Sequence, residues 1–477
     1  MRKVILVAAV AAIAAASAWF LRSEHGTAPK EPAAATSTPS TAPVVRKALM
    51  AYADARPALD AHRAQLPAGL NGKTPLDLEA AWPAWAARHD ADIRARLALG
   101  DEDSVVNFWL YGTSFTPLPR ATDEQMAALK TRTDAEDLLV GRLNDLVAGM
   151  RVPGTNERLQ FARQVIVGRG IDLSTDEGSD QARVYLVKAR ERVIAEVGRY
   201  RREAESVRRP VGKSADVNAY STIYRDRGLS SDTRLAADFA LDKALEMIAA
   251  KGTLLAGTVR RVAIVGPGLD FTDKAEGYDF YPLQTIQPFA LVDSLIRHGL
   301  AKPDDLGVTT LDLSPRVNGH LDAARRRAQR GEAYALQLPL PQDVPQRQSH
   351  PDLVAYWQRF GDRIGAEIAP IPPPPVAGAV RIRALGVRPA VTLSITSHDL
   401  DIIVEHLDPL EDPERFDVIV ATNILVYYDS FEQALALANV AKMLRPGGYF
   451  LTNYALVAAP PFEPSASIVS SVFFDRQ

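Results

Sequence analysis

The run Arg260-Arg-Val-Ala-Ile-Val265 passes directly into Gly266-Pro-Gly268, and this junction restricts the fold more than any other feature of the chain. A short apolar run closed by a glycine turn reads as a strand buried on both faces. Such a strand needs helices above and below it, and so belongs to a parallel sheet in an α/β fold. At its C-terminal tip, glycine removes the Cβ that would keep a ligand away from the backbone. Gly-x-Gly after a strand also describes an ordinary tight turn, so its meaning depends on the strands downstream of it.

A second strand, Val308-Thr-Thr-Leu-Asp312, ends on a carboxylate. An acid there can accept hydrogen bonds from both hydroxyls of a ribose. Val391 to Ile395 is expected as a third strand leading to His398-Asp399-Leu400, an acceptor beside an apolar side chain, the pair an adenine requires. Phe416 to Ala421 is a fourth strand, ending at Thr422-Asn423. Phe431 to Leu444 reads as a helix stopped by Arg445-Pro-Gly-Gly448, before a fifth strand from Tyr449 to Asn453. The fold class expected is α/β, a doubly wound, mostly parallel Rossmann-like sheet preceded by a mostly helical N-terminal domain.

The segment from Phe416 to Asp429, with Met443-Leu-Arg-Pro-Gly-Gly448 downstream, resembles the class I S-adenosylmethionine-dependent methyltransferases, and within them the branch containing chemotaxis-receptor methyltransferases. The resemblance covers about Asp232 to Asn453. It implies S-adenosyl-L-methionine as cofactor, with Gly266 and Gly268 near its methionine moiety and Asp312 on the ribose with Leu313 beside it. Asp399 and Leu400 would flank the adenine, and Asn423 would line the floor beside the methyl group. Asp429, Tyr427 or Asp270 would be the nearest bases for an amine or hydroxyl acceptor, while a carboxylate acceptor would need none. An Asn-Pro-Pro-Tyr motif is missing, so the acceptor expected is an oxygen or carboxyl group before a nitrogen.

The pattern departs from the family in several places. The acid and the last glycine of the family's loop are replaced by Ile264 and Asp270. Asp270 would either substitute for the missing acid by reaching the cofactor's amino group or obstruct the site. Asp270 to Asp312 spans about twice the usual spacing, with an insertion over 271–290 containing Glu276-Gly-Tyr-Asp-Phe-Tyr-Pro282, a substrate lid or a structural loop. A second insertion runs over 316–376, with a helix at Pro351 to Ile364 and a spacer at Pro372 to Pro375. After Asn453 only Ser467 to Phe474 reads as a strand, where the family's sheet closes with an antiparallel pair.

Four segments are expected: a signal peptide or membrane anchor over 1–22, a Pro/Ala/Ser/Thr-rich linker over 23–45, a helical domain over 46–230 and the methyltransferase-like domain over 231–477. In the helical domain, Thr133-x-x-Glu136 reads as a capping box, and Val184, Val187, Ile194 and Val197 as the apolar face of a helix over Gln181 to Glu205. Ser104 to Tyr111 fits a buried helix or a strand. Asp232 reads as a helix cap, and Ala219 to Leu229 as an interdomain loop or a cap on the cofactor pocket. The arginines from Arg199 to Arg209 alternate with glutamates, the pattern of a solvated, self-neutralised face.

Composition narrows the alternatives. The net charge is −3 over 477 residues, so no nucleic-acid partner is expected, and the absence of cysteine removes thiolate chemistry. A dinucleotide fingerprint would need glycine where Phe271 stands. No P-loop, Gly-x-Ser-x-Gly or His-Glu-x-x-His motif occurs. His398, Asp401, Glu405 and His406 are compact enough to consider for a metal, although ordinary polar residues after a strand are the simpler explanation. Arg2 and Lys3 precede the uncharged run Val4 to Leu21, and Ala16-Ser17-Ala18 offers a cleavage site; by the charge rule the remainder is extracytoplasmic. That conflicts with a cytoplasmic cofactor. The alternatives are an anchored enzyme facing the cytoplasm, an exported or anchored non-catalytic binding or scaffold protein that keeps the fold, and an exported protein with another small ligand.

Overall fold

The computed structural model describes residues 17–23, 45–207, 228–230, 233, 235–271, 275, 277–341, 343, 347–408, 410–453, 456, 462–468 and 473–475. The cap expected at Asp232, nearly all of Ala219 to Leu229 and the linker from 24 to 44 lie outside these residues, as do 1–16.

Along the chain, β1 (Ser17–Ser23) and β2 (Arg46–Leu49) precede α1 (Tyr52–Ala61) and a long α2 (Pro75–Tyr111). Thr74 caps α2 through the Asp77 N–H, and Pro75 sits at its first position. Ser104 to Tyr111 is therefore the last part of a helix. Next come α3 (Asp123–Ala128), α4 (Arg132–Arg151), α5 (Glu157–Gly168) and α6 (Asp176–Val207).

The capping box of α4 is Thr131 with Asp134 rather than Thr133 with Glu136; Glu136 instead pairs with Arg132 one turn back. On α6 the buried hydrophobic residues among those described are Ala182, Leu186 and Ala189, while Val184, Val187 and Ile194 are exposed. The helix is turned away from the orientation its valines suggest, because smaller alanines fit the seam against Val105, Phe108 and Leu146.

After α7 (Leu235–Lys251) the sheet begins with β3 (Arg261–Val265). Then come α8 (Gln287–Arg297), β4 (Gly307–Leu311) and α9 (Pro315–Gln329). The chain continues through β5 (Tyr334–Pro341), β6 (Arg347–Ser349), α10 (Pro351–Arg359), β7 (Gly365–Ile368) and β8 (Val380–Val387). The insertion, with the residues just after it, thus forms a three-stranded antiparallel sheet in the order β5-β8-β7, which the sequence pattern does not reveal. Pro339 and Pro341 disguise β5, and they are tolerated because β5 is an edge strand.

α11 (Pro389–Leu393) replaces most of the expected third strand, and β9 (Ile395–His398) begins where that strand was to end. Pro389 at the first helical position starts the helix, and a five-residue apolar run does not distinguish the two states. β10 (Glu405–Asp408), β11 (Phe416–Ala421), α12 (Ser430–Met443), β12 (Leu444–Thr452), β13 (Phe462–Ile468) and β14 (Phe473–Asp475) complete the chain. The strand expected over Ser467 to Phe474 is two: β13 ends at Ile468 in the main sheet, and β14 pairs with β6.

The main sheet has the order β13-β1-β12-β11-β3-β4-β9, with the five strands from β12 to β9 parallel. This is a Rossmann-like sheet with its order reversing between β3 and β11. Beyond β12 the sheet continues with β1, antiparallel to β12, and then β13, antiparallel to β1 and so running with the parallel strands. The end of the N-terminal apolar run is therefore a strand, in keeping with the β-favouring Trp19-Phe-Leu21 sequence. Among the described residues no helix is long and apolar enough to cross a membrane.

Side chains alternate between two cores. Val262, Ile264, Val418 and Val420 face α7, α8 and the insertion; Ala263, Val265, Ile419 and Ala421 face α12, α1 and the first half of α2. Residues from Met50 to Leu97 thus share a core with the sheet. The separate helical core, around Phe108, Trp109, Leu146 and Ile166, takes in Phe271 just beyond β3.

Candidate active site at the strand tips

The tips of β3, β4, β9 and β11 come together where the strand order reverses, the place where open α/β sheets bind ligands. The Gly266 N–H donates to the Leu311 carbonyl at 2.9 Å, and the Asp312 N–H to the His398 carbonyl at 3.0 Å. Gly266 and Gly268 have φ of 65° and 70°, so both glycines are required by the backbone. Asp312 Oδ1 accepts the Ser314 N–H at 2.7 Å, and the Gly268 N–H also points to this carboxylate. Burial pushes the Asp312 carboxyl up to about 7 against the pull of the Ser314 and Gly268 N–H groups and the Arg316 guanidinium, while nearby Asp399 adds to the push.

Asn423 has φ of 60°, and among the described residues it is the one non-glycine in this region. Its N–H donates to Asn453 Oδ1 at 2.9 Å, and Asn453 Nδ2 donates to Asn423 Oδ1 at 2.8 Å. This reciprocal amide pair joins the tips of β11 and β12 and holds the strained residue in place. Behind it, Gln287 Nε2 donates to Thr422 Oγ1 at 2.7 Å.

Two features oppose an open cleft. A Cβ built on Gly266 would lie 2.2 Å from Ile424 Cδ1, so a side chain already rests on the glycine turn. The Asp270 carboxylate is buried in its own network, with Oδ2 accepting the Tyr281 hydroxyl at 2.6 Å and Gln284 Nε2 at 2.8 Å.

Above the tips runs α2. Arg94 pairs with Asp399 at 2.8 Å and reaches the Leu313 carbonyl at 3.4 Å. Arg96 reaches the Tyr427 carbonyl at 3.5 Å, and Asp101 meets Arg316 at 3.4 Å. Arg316 in turn lies over the Phe161 ring at 3.9 Å and the Phe271 ring at 5.1 Å. Leu313 is partly buried and Leu400 fully buried, both in the core beneath α2.

Other sequence candidates fall elsewhere. Asp429 caps α12 in a capping box with Glu432, which accounts for its carboxylate without a substrate. The insert around Tyr278 is no loose lid: Asp279 accepts the Thr113 and Ser114 N–H groups, and Arg120 Nη2 donates to the Gly277 carbonyl at 2.5 Å. The described part of the insert is fastened to the helical region. His398, Asp401, Glu405 and His406 do not gather; Glu405 accepts the Asp401 N–H and pairs with Lys47, while His406 faces Lys442. Among the described residues no group of three such side chains could hold a metal. Sequence reasoning missed Arg94, Arg316, Ile424 and the pairing role of Asn453. Only Asn453, at the end of the last parallel strand, carried a usable signal.

No family model and no curated protein matches the chain. Among solved structures, one match is the crystal structure of the CurJ carbon methyltransferase, at 16% identity over 77% of this chain and 73% of that one, with a TM-score of 0.21.

Proposed function

We propose that the chain binds S-adenosylmethionine at the strand tips and transfers its methyl group to an oxygen, carboxyl or nitrogen acceptor. The reading is carried by Asp312, a buried carboxylate at the tip of β4 that is hydrogen-bonded to a backbone N–H of the double-glycine turn and lies within the field of Asp399. A ribose diol would supply the donors that this carboxylate lacks, and Asp399 with Leu400 offers the adenine side. The sulfonium supplies an activated methyl carbon. The protein's part is to hold the adenosyl end, exclude water beneath α2 and present an acceptor in line with the breaking C–S bond. Asn423, held by Asn453, would form the floor. The ribose end fits Asp312; the adenine end requires the Arg94–Asp399 pair to open, and the methionine end requires Ile424 to turn off Gly266.

A second reading has its own support. Ile424 on the glycine turn and the Arg94–Asp399 pair crossing the adenine side favour a non-catalytic scaffold whose cleft is filled by its own side chains. An extracytoplasmic location, proposed from the N-terminal charges alone, would fit that reading better.

Titration calorimetry of the folded chain with S-adenosylmethionine separates the two. A saturable binding heat supports the enzyme reading, and no heat from a folded sample leaves the scaffold.

A further inference from the structure

The Arg94 side chain reaches down from α2 and joins two of the strand tips. Its Nη2 donates to Asp399 Oδ1, just past β9, at 2.8 Å, and its Nη1 to the Leu313 carbonyl, just past β4, at 3.4 Å. A single guanidinium thus bridges the ends proposed for adenine and ribose. Its Nε is engaged separately, 3.0 Å from each oxygen of Asp90, one turn back on the same helix. The cation therefore has a partner on α2 that does not depend on Asp399. The helix backbone is fixed where Arg94 leaves it: Ile93 and Leu97 are buried in the core shared with the sheet, and the Leu229 N–H donates to the Arg96 carbonyl at 3.0 Å. A Cβ on Gly100 would collide with the Leu229 carbonyl, so the chain packs directly against α2 there. The Arg94 side chain is 30% exposed and that of Asp399 50%. An ion pair this open to water costs little to break, and a long side chain changes rotamer without moving its helix.

We propose that Arg94 is a side-chain latch on the adenosyl site. It closes the site by spanning the β4 and β9 tips, and it swings back onto Asp90 when the amino group of an adenine takes its place on Asp399. The roof itself stays where it is, because both neighbours of Arg94 along the buried face of α2 are held in the core. Asp90 keeps the released guanidinium neutralised, so opening exchanges one carboxylate partner for a hydrogen bond from the ligand and leaves no cation unpaired. The latch rests on the adenosyl reading of the strand tips. Ile424 on the glycine turn is a separate obstruction, met only by a ligand that carries a methionine moiety.

The test is calorimetry of the full chain with 5′-methylthioadenosine, which has the adenine and ribose but not the charged methionine groups and so does not need Ile424 to move. Arg94→Ala is expected to bind it about fivefold more tightly than the wild type, the share of affinity that an exposed ion pair can withhold. Raising the salt from about 0.05 to about 0.5 M should tighten binding to the wild type by screening the pair, and leave Arg94→Ala unmoved, because the ligand is uncharged. Asp399→Asn keeps an acceptor for the amino group but loses the charge, so adding Arg94→Ala to it should change affinity by less than about twofold. Thermal melting confirms that each variant is folded. Binding to folded Arg94→Ala that is no tighter than to the wild type overturns the latch and leaves the adenosyl reading standing, as does a gain that persists at full size beside Asp399→Asn. Absence of binding to all of the folded proteins overturns the adenosyl reading and the latch with it.

Discussion

The helical region and the strand tips both bury charge, and they do so in opposite ways. Arg142 is fully buried and donates to the carbonyls of Trp109, Gly112, Leu118 and Pro119. Arg158 likewise donates to the carbonyls of Asp270 and Tyr281. These cations fasten loop ends, with backbone carbonyls taking the terminal N–H groups of both guanidinium groups. At the strand tips the buried charges are carboxylates met by backbone N–H groups, Asp312 by Ser314 and Gly268 and Asp401 by Ile403. Burial pushes both acids up to about 7. A buried cation saturated by carbonyls is structural. A buried acid with spare acceptor capacity is where a ligand's hydroxyl groups would bring stabilisation.

Arg142→Ala should break the first side of this contrast most severely, by about 3–5 kcal/mol in urea unfolding, because four carbonyls, those of Trp109 and Gly112 in buried surroundings, lose their donor. A loss below about 1 kcal/mol would show that water replaces the guanidinium.

Asp312→Asn sharpens the other side. The folded carboxyl is raised from 3.8 to about 7, so the folded state holds a proton that the unfolded state has released between those values. The stabilisation is complete below pH 3.8 and is lost as pH rises through 7. The variant should therefore gain on the wild type between about pH 4 and 8, by about 2–4 kcal/mol in paired melts. A difference that does not change with pH removes the buried-acid account. Comparing the two proteins cancels His89 and His320, whose lowered values act in the opposite direction over the same range.

Gly266→Ala should cost about 1–2 kcal/mol from the positive φ, plus crowding of Ile424. In an Ile424→Ala background only the backbone part should remain. An unchanged cost would mean that Ile424 does not rest on the turn. The smallest effect belongs to Val184→Ser on the exposed side of α6, within about 0.5 kcal/mol; a larger loss would mean that this face is covered in solution.

Much of the sheet was legible because strands buried on both faces leave an apolar run with a sharp end. β3, β4 and β11 lie within a residue of their expected positions, and Ser430–Met443 within a residue of its expected helix. β9 slipped because Pro389 starts a helix inside an equally apolar run. The insertion hid its sheet behind the prolines of β5. The approach of Gly268 and Asp399 to Asp312 was expected from the order of strands together with the family resemblance. The roof over them was not, since Arg94 and Asp399 are 305 residues apart and neither carries a local sign of the other.

Hydrogen exchange with and without saturating S-adenosylmethionine shows whether the strand tips hold an adenosyl group. Bound adenosyl should slow exchange together at 264–270, 311–315, 398–401 and 421–424, the four tips that meet under α2, and Asp312→Asn should abolish the effect. Unaltered exchange at all four tips in folded protein would contradict it and leave the sheet as a scaffold.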